Sequence, residues 1–129
     1  MTRVARLVTS ADIDDRSGGQ SIRARLDAEL QDGMRITLLD DRGWSGSGGA
    51  AAFGRYGEDV AETARMVVGP DGAYGEITQA EMDAGHWQFL ADRLREHGVE
   101  IDGTELSALP HDVEVSERLQ AQVARNRSR

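Results

Sequence analysis

The chain of 129 residues contains no cysteine and no lysine, and only six of its residues are aromatic. Without cysteine it cannot form disulfides, thiolate nucleophiles or thiolate metal sites. Without lysine it cannot form a Schiff base, nor supply the side chain with which a P-loop holds phosphate. These absences exclude several classes of enzyme before any motif is considered.

All 15 basic residues are therefore arginine, and with 23 acidic residues the formal net charge is −8. The exclusive use of arginine indicates a high-GC genome, and we expect a bacterial protein. The negative charge argues against nucleic acid as a partner, because neutralising phosphates requires basic patches. An acidic surface instead suits solubility or a basic partner.

Strong core-forming residues are also scarce. Val, Ile, Leu and Phe together number 26, about a fifth of the chain, which is close to the composition of chains that do not fold alone. We therefore expect a thin core and either a homodimer or a protein partner that covers the remaining apolar surface. No apolar run has the length of a signal sequence or a membrane span, so we expect a cytoplasmic protein.

Hydrophobic periodicity predicts one small α+β domain over residues 1–124, followed by a disordered basic tail over residues 125–129. Its sheet is expected to be small, mixed or antiparallel, and packed by three to four helices. Alternating apolar residues predict strands at 4–8, 34–39, 99–102 and 112–115. The residues between the first strand and Ser21 are rich in Asp, Ser and Gly, which is typical of a loop.

Capping signals and four-residue spacings predict the helices. Ile22, Leu26 and Leu30 follow Ser21 at intervals of four, which indicates a helix over 22–30. A helix is favoured over a strand at 60–67, and one helical turn is expected at 104–109. Thr78 and Glu81 fit the capping box of a helix that ends at Gly98. Ser116 is expected to cap a final helix.

The stretch Asp40–Asp59 holds six glycines and no Val, Ile or Leu. Asp40–Gly43 is predicted to form a tight turn with Gly43 at positive φ, after which Trp44 begins a returning strand. Because ordering several glycines is costly in entropy, residues 43–57 are expected to form a mobile loop.

An alternative interpretation makes the same stretch an anion site. Gly46 and Gly48 begin a G-x-G-x-x-A spacing of the kind that binds dinucleotide phosphates, and Arg42 and Arg55 are the candidate ligands of the anion. The context is unfavourable, since six residues separate the preceding strand from Gly46 where a dinucleotide fold requires an immediate turn.

Two sets of apolar residues are candidates for binding a partner. Trp44, Phe53 and Tyr56 have no local aliphatic neighbours in the glycine-rich stretch. Met82 and Phe89 lie on a second apolar stripe of a helix that we expect to bury Trp87, Leu90 and Leu94.

No constellation of catalytic residues is evident, and we predict no catalytic residue, metal or cofactor. Asp12, Asp14 and Asp15 are interpreted as a solvated acidic loop. The helical spacing of His86 and His97 places them about 16 Å apart, too far to share a metal ion. The favoured hypothesis is a non-catalytic protein-interaction or self-associating domain. The alternative is a small-ligand or anion-binding domain, or an enzyme, that uses loop 43–57 and nearby carboxylates.

Overall fold

The computed structural model describes residues 3–46, 48–54 and 58–128. In these ranges the chain forms four strands and four α-helices, which confirms the predicted small α+β fold. In chain order they are β1 (Val4–Ile13), β2 (Ile22–Leu30), β3 (Arg35–Trp44), α1 (Val60–Val67), α2 (Gln79–Glu96), α3 (Gly103–Ser107), β4 (His111–Val115) and α4 (Glu117–Arg127). Short 3-10 turns occur at Asp15–Ser17 and Gly49–Ala52.

The sheet has the strand order β3-β2-β1-β4. The first three strands form an antiparallel meander, in which Asp14 N donates to Ser21 O beside the first hairpin loop and Leu30 N donates to Met34 O beside the second. β1 continues past the predicted strand at residues 4–8 as far as Ile13, so the predicted loop is shorter than its composition indicates.

β4 makes the sheet mixed. Leu7 N donates to Pro110 O, and further along both strands Ser116 N donates to the carbonyl oxygen of Ala11. Residue numbers rise together along the two strands, so β1 and β4 are parallel.

The described residues group into two compact units. Unit 1 contains residues 3–8, 27–38 and 69–112, and unit 2 contains the described residues of 9–26, 39–68 and 113–128. All four strands have residues in both units, whereas α2 and α3 belong to unit 1 and α1 and α4 to unit 2. Unit 2 has an apolar core built from Ala11, Ile22, Phe53, Val60, Ala64 and Leu119. None of the helices in the described ranges combines the length and apolar character needed to cross a membrane.

β2 corrects the helix that was predicted over the same residues. Ile22, Leu26 and Leu30 are four apart, but Ala24 and Ala28 lie between them and are also buried. Buried apolar residues thus recur at every second position, which is the period of a strand with one face on a core. A spacing of four is a multiple of two as well as close to one helical turn, so only the two alanines distinguish the structures.

β3 corrects the prediction for the residues that follow. The predicted turn at Asp40–Gly43 and the strand predicted to begin at Trp44 are both wrong, because β3 continues through these residues. Gly43 lacks the positive φ that the turn would need. It is required sterically instead, since a Cβ on Gly43 would lie 2.5 Å from the carbonyl oxygen of Ile22 in β2.

We expect Gly43→Ala to lower the free energy of unfolding by about 1–3 kcal/mol, the usual cost of overpacking against atoms that cannot move freely. Gly46→Ala is the matched control, because a Cβ there meets nothing within 4 Å. It should be neutral, or stabilise by roughly 0.4–1 kcal/mol through the unfolded chain. Urea denaturation compares the two variants. Equal effects would show that the spacing of β2 and β3 does not depend on Gly43.

The helices with clear caps begin where the sequence predicts. The side chain of Thr78 accepts from Glu81 N and the Glu81 carboxylate accepts from Thr78 N, which completes the capping box of α2. Gly98 follows this helix with φ of 79°. Ser116 caps α4 by accepting from Leu119 N.

Two other local predictions differ from the structure. Val99–Asp102, predicted to be a strand, has no regular secondary structure. Arg125 and Arg127, assigned to a disordered tail from the sequence, lie in the last turn of α4. The α3 helix agrees with the single helical turn predicted near Thr104.

An arginine clamp joins the start of α4 to β1 and the loop after it. Arg118 Nε donates to Asp12 Oδ1 at 2.7 Å, and its Nη1 donates to Asp15 Oδ1 at 2.9 Å. Ser116 Oγ also donates to Asp12 Oδ1, at 2.6 Å. The hydrogen bond from Arg118 is the main reason that the pKa of Asp12 falls to about 2.

We expect Asp12→Asn to lower the free energy of unfolding by roughly 1 kcal/mol near neutral pH, since solvent screens this partly exposed pair. The folded-state pKa of Asp12 lies below its usual value of 3.8. Ionised Asp12 therefore stabilises the fold above about pH 4, and this contribution disappears as the pH falls toward 2. Urea denaturation across that range should show the deficit of the variant shrinking. Asp41→Asn is the control, because the side chain of Asp41 is 79% exposed. A loss of stability in Asp12→Asn that does not change with pH would contradict the clamp.

Candidate functional site

Two aromatic side chains of the glycine-rich stretch, Trp44 and Phe53, make contacts within unit 2. Phe53 is buried in the apolar core, and Trp44 packs against it. Trp44 Nε1 donates to Glu58 Oε1 at 2.8 Å, and Gly54 N donates to Glu58 Oε2 at 3.1 Å. Tyr56 lies outside the described residues. A partner-binding role for Trp44 and Phe53 stays a prediction, although both already have neighbours in their own chain.

The described residues of the candidate anion site lie in different elements of unit 2: Arg42 in a strand, and Gly46 and Gly48 before the second 3-10 turn. Arg42 lies in β3, where its Nη1 donates to Val67 O at 3.4 Å. Gly46 lines a cavity of about 50 Å³ whose wall includes the Glu58 carboxylate, and Gly48 precedes the second 3-10 turn. Arg55 lies outside the described residues. A cavity of this size is far below the roughly 300 Å³ of the smallest ligand pockets, and its carboxylate opposes an anion.

Helix α4 binds the described part of the glycine-rich stretch. The buried amide of Asn126 donates to Ala50 O at 2.9 Å and to Phe53 O at 3.0 Å. Arg127 Nε donates to Gly54 O at 2.9 Å. The mobility predicted for residues 43–57 is not tested by these contacts, but they connect residues 50–54 to a helix.

An open, partly apolar surface lies at the start of α2, in unit 1. We name it the α2 groove, and its volume is about 440 Å³. Phe89 is 50% exposed and Ile77 is 38% exposed, and Tyr74 in the preceding turn is 68% exposed. The residues that line the groove include Asp71, Ile77, Glu81, Met82, His86 and Phe89.

The local sequence explains why these side chains converge. Ile77 precedes the N-cap Thr78, and Met82 is the fourth residue of α2, which are the two positions of a hydrophobic staple. His86 and Phe89 follow Met82 at the i+4 and i+7 positions, so all three lie on one face of the helix. The staple and the helix face together form a continuous apolar strip.

The turn before α2 is fixed to the helix by Gln79. Its Oε1 accepts from Ala73 N at 3.1 Å, and its Nε2 donates to Asp71 O at 3.0 Å. Within the turn, Ile77 N donates to Tyr74 O at 3.0 Å. The apolar residues of the groove are therefore held in place before any partner arrives, which reduces the entropy cost of binding.

Most of the charged residues around the groove are acidic. Between Arg65 and Arg93 the sequence contains no lysine or arginine but five carboxylates: Asp71, Glu76, Glu81, Asp83 and Asp92. The Arg93 guanidinium lies 5.1 Å from the centroid of the Phe89 ring, a cation–π geometry. The carboxylates of the groove therefore attract cations, while Arg93 of the chain itself already lies over the ring of Phe89.

Sequence reasoning found part of this surface. Met82 and Phe89 were predicted to bind a partner, and the structure places both in the α2 groove. Ile77 and Tyr74 were missed, because they precede the helix and have no place in its periodicity. The staple positions on either side of Thr78 point to Ile77, and the long interval without a basic residue points to the acidic rim; neither signal identifies Tyr74.

Comparison with models of known families, with curated proteins and with solved structures gives no match for this chain. The function of the groove must therefore be inferred from the chemistry of its own residues. Those residues offer apolar contact and negative charge.

Proposed function

We propose that the chain is a non-catalytic protein-binding domain, and that the α2 groove binds a basic, amphipathic segment of another protein. The observation that carries the proposal is the combination of exposed Ile77 and Phe89 with a rim of carboxylates. Apolar side chains of the partner would fill the groove, and its Lys or Arg residues would meet the rim. This matches the recognition of an amphipathic helix by a groove.

Charge argues for a foreign partner over a second copy. Each chain carries a net charge of −8, and two α2 grooves facing each other would bring their carboxylates together, which is unfavourable. A basic segment gains from the same field, which also speeds its association. Binding to a basic partner should therefore weaken as salt is added, whereas self-association should strengthen.

Two synthetic amphipathic helices of equal length and leucine content test the proposal, one with Lys and the other with Glu at every polar position. Fluorescence anisotropy should show that the Lys peptide binds and that the Glu peptide does not. Phe89→Ala should weaken binding of the Lys peptide by roughly tenfold, which is the effect of removing one anchor residue. Met66→Ala is the matched control, because Met66 is 72% exposed but lies in unit 2.

Three results would overturn the proposal. Equal binding of both peptides would show that the carboxylates do not select the partner. Equal losses of peptide affinity in Phe89→Ala and Met66→Ala would show that the α2 groove is not the binding site. Sedimentation that reveals a dimer strengthened by salt and disrupted by Phe89→Ala would assign the groove to a second copy.

A further inference from the structure

Three Asp-Gly pairs mark places where the backbone of this chain can change chemically. They lie at Asp32–Gly33, Asp71–Gly72 and Asp102–Gly103, all in unit 1. An aspartate before glycine is prone to attack on its carboxyl group by the next backbone nitrogen, because glycine has no side chain to shield that nitrogen. The outcome at each pair depends on how firmly the fold holds the two reacting groups.

The hairpin turn between β2 and β3 holds the first pair. Gly33 N donates to Leu30 O at 2.9 Å, so the attacking nitrogen is engaged. The Asp32 carboxylate accepts from Met34 N at 3.0 Å. Both reacting groups would have to give up a hydrogen bond, which opposes the reaction at this pair.

The start of α3 holds the pair at Asp102. The Asp102 carboxylate caps the helix by accepting from Glu105 N at 2.8 Å. Gly103 is buried, and a Cβ on it would lie 2.9 Å from Gln88 N in α2. Attack on the Asp102 carboxyl group would remove the cap and disturb this close approach of two helices, so the reaction is opposed here as well.

The pair at Asp71 is held differently. Asp71 and Gly72 are exposed and lie outside the helices and strands, in the segment before α2. Gly72 N donates to no acceptor in the described part of the chain, and a Cβ on Gly72 would meet nothing within 4 Å. Asp71 takes part in a further contact within the chain. The difference between the three pairs therefore lies in an unbonded glycine nitrogen on an exposed and uncrowded backbone.

From this contrast we infer that Asp71 is a site of spontaneous isomerisation to isoaspartate. Gly72 N forms a bond to Cγ of the protonated Asp71 carboxyl group. The amide proton and the carboxyl hydroxyl leave together as one molecule of water, which closes a cyclic imide. Water then adds to either carbonyl of the ring. Opening at Cγ restores aspartate, whereas opening at the former backbone carbonyl gives isoaspartate, whose main chain runs through Cβ and Cγ.

Gln79 makes this change detectable, because it binds on both sides of the reacting bond. Its Nε2 donates to Asp71 O at 3.0 Å, and its Oε1 accepts from Ala73 N at 3.1 Å. Isomerisation turns Asp71 O into part of a free carboxylate and adds one carbon atom to the chain before Gly72. Gln79 cannot keep both bonds in their present geometry, so the turn before α2 should loosen. Since Asp71 lines the α2 groove, the change also alters the wall of that groove.

Ageing the purified whole chain in mildly acidic buffer, followed by peptide mapping, tests the inference. Isoaspartyl peptides keep their original mass but elute separately, and they resist an endoproteinase that cleaves before aspartate. In the folded chain, isoaspartate should form at least about tenfold faster at Asp71 than at Asp32 or Asp102, a difference of about 1.4 kcal/mol in activation free energy. In urea above the unfolding transition, the three sites should convert at similar rates, because the fold no longer distinguishes them.

Gly72→Ala tests the role of the glycine nitrogen. Gly72 lacks a positive φ and a Cβ there meets nothing, so the variant should keep the fold while its methyl group shields the nitrogen. Conversion at Asp71 should slow by about tenfold. On ageing, the NMR signals of the Ala73 amide and the Gln79 side-chain amide should shift in the wild type and stay constant in the variant.

Three results would overturn the inference. Equal conversion at Asp71 and Asp32 in the folded chain would show that the free nitrogen does not select the site. Undiminished conversion in Gly72→Ala would show that access to this nitrogen does not limit the reaction. Isoaspartate that forms at Asp71 in urea but not in the folded chain would show that the fold protects this pair.

Discussion

Leu90→Ala is expected to lower the free energy of unfolding by about 2–5 kcal/mol, the range for a buried leucine whose cavity cannot fully collapse. Leu90 is fully buried, as are its helix neighbours Ala91 and Leu94. A total stability on the order of 5–15 kcal/mol is usual for a single domain, so this one change removes a large fraction. Urea denaturation with a common slope for both proteins measures the effect.

Phe89→Ala is the matched control for this prediction. Phe89 adjoins Leu90 in α2 but is 50% exposed, and Arg93 lies over its ring. Its truncation removes more atoms than that of Leu90, yet should cost less than about 1 kcal/mol, because mainly a surface cation–π contact is lost. If the two variants lose equal stability, the buried face of α2 has been assigned to the wrong residues.

The two tryptophans allow a test of the predicted single domain. Trp87 belongs to unit 1 and Trp44 to unit 2. Leu90→Ala can be combined separately with Trp44→Phe and with Trp87→Phe, so that fluorescence reports on one unit at a time. One cooperative domain requires coincident transitions from both reporters. An early transition at Trp87 alone would show that unit 1 unfolds independently.

Local chemistry explains which elements could be predicted from the sequence. The ends of α2 depend on Thr78, Glu81 and Gly98, all of which act on backbone groups within one turn of themselves. The strand β2 has no such signal. Its hydrophobic period is ambiguous because small alanines, Ala24 and Ala28, occupy the buried positions midway between its large apolar side chains. β3 shows the opposite case, since Asp40–Gly43 has the composition of a turn but pairs with β2.

The candidate sites were predictable to the extent that they depend on one element. Met82 and Phe89 share a helix, so spacing alone identified them as a surface stripe. The surroundings of Phe53 depend on Asn126, which is 73 residues away in sequence.

Asn126→Ala carries the second large expected effect, a loss of about 2–4 kcal/mol of unfolding free energy. Asn126 is buried, and its amide donates to Ala50 O and Phe53 O. Ala50 O keeps donors in Gln122 Nε2 and Phe53 N, but the buried Phe53 carbonyl loses the donor from Asn126, which costs about 1–3 kcal/mol, and the vacated volume adds a cavity cost. Gln122→Ala is the graded control: it removes a longer bond of 3.3 Å to the Ala50 oxygen and a bond of 3.0 Å to Asn126 Oδ1, but leaves the two bonds that Asn126 donates.

Hydrogen exchange identifies which part of the chain responds to the loss of Asn126. The amide of Phe53 donates to Ala50 O, and the amide of Gly54 donates to the Glu58 carboxylate. If α4 holds this stretch, both amides should exchange faster in Asn126→Ala at urea concentrations far below the unfolding transition, while amides of α2 keep their protection, as in local opening. If Phe53 and Gly54 exchange rapidly in the wild type as well, the stretch is mobile despite its hydrogen bonds. The prediction made from its six glycines would then be correct, and the stability of the fold would not depend on these contacts.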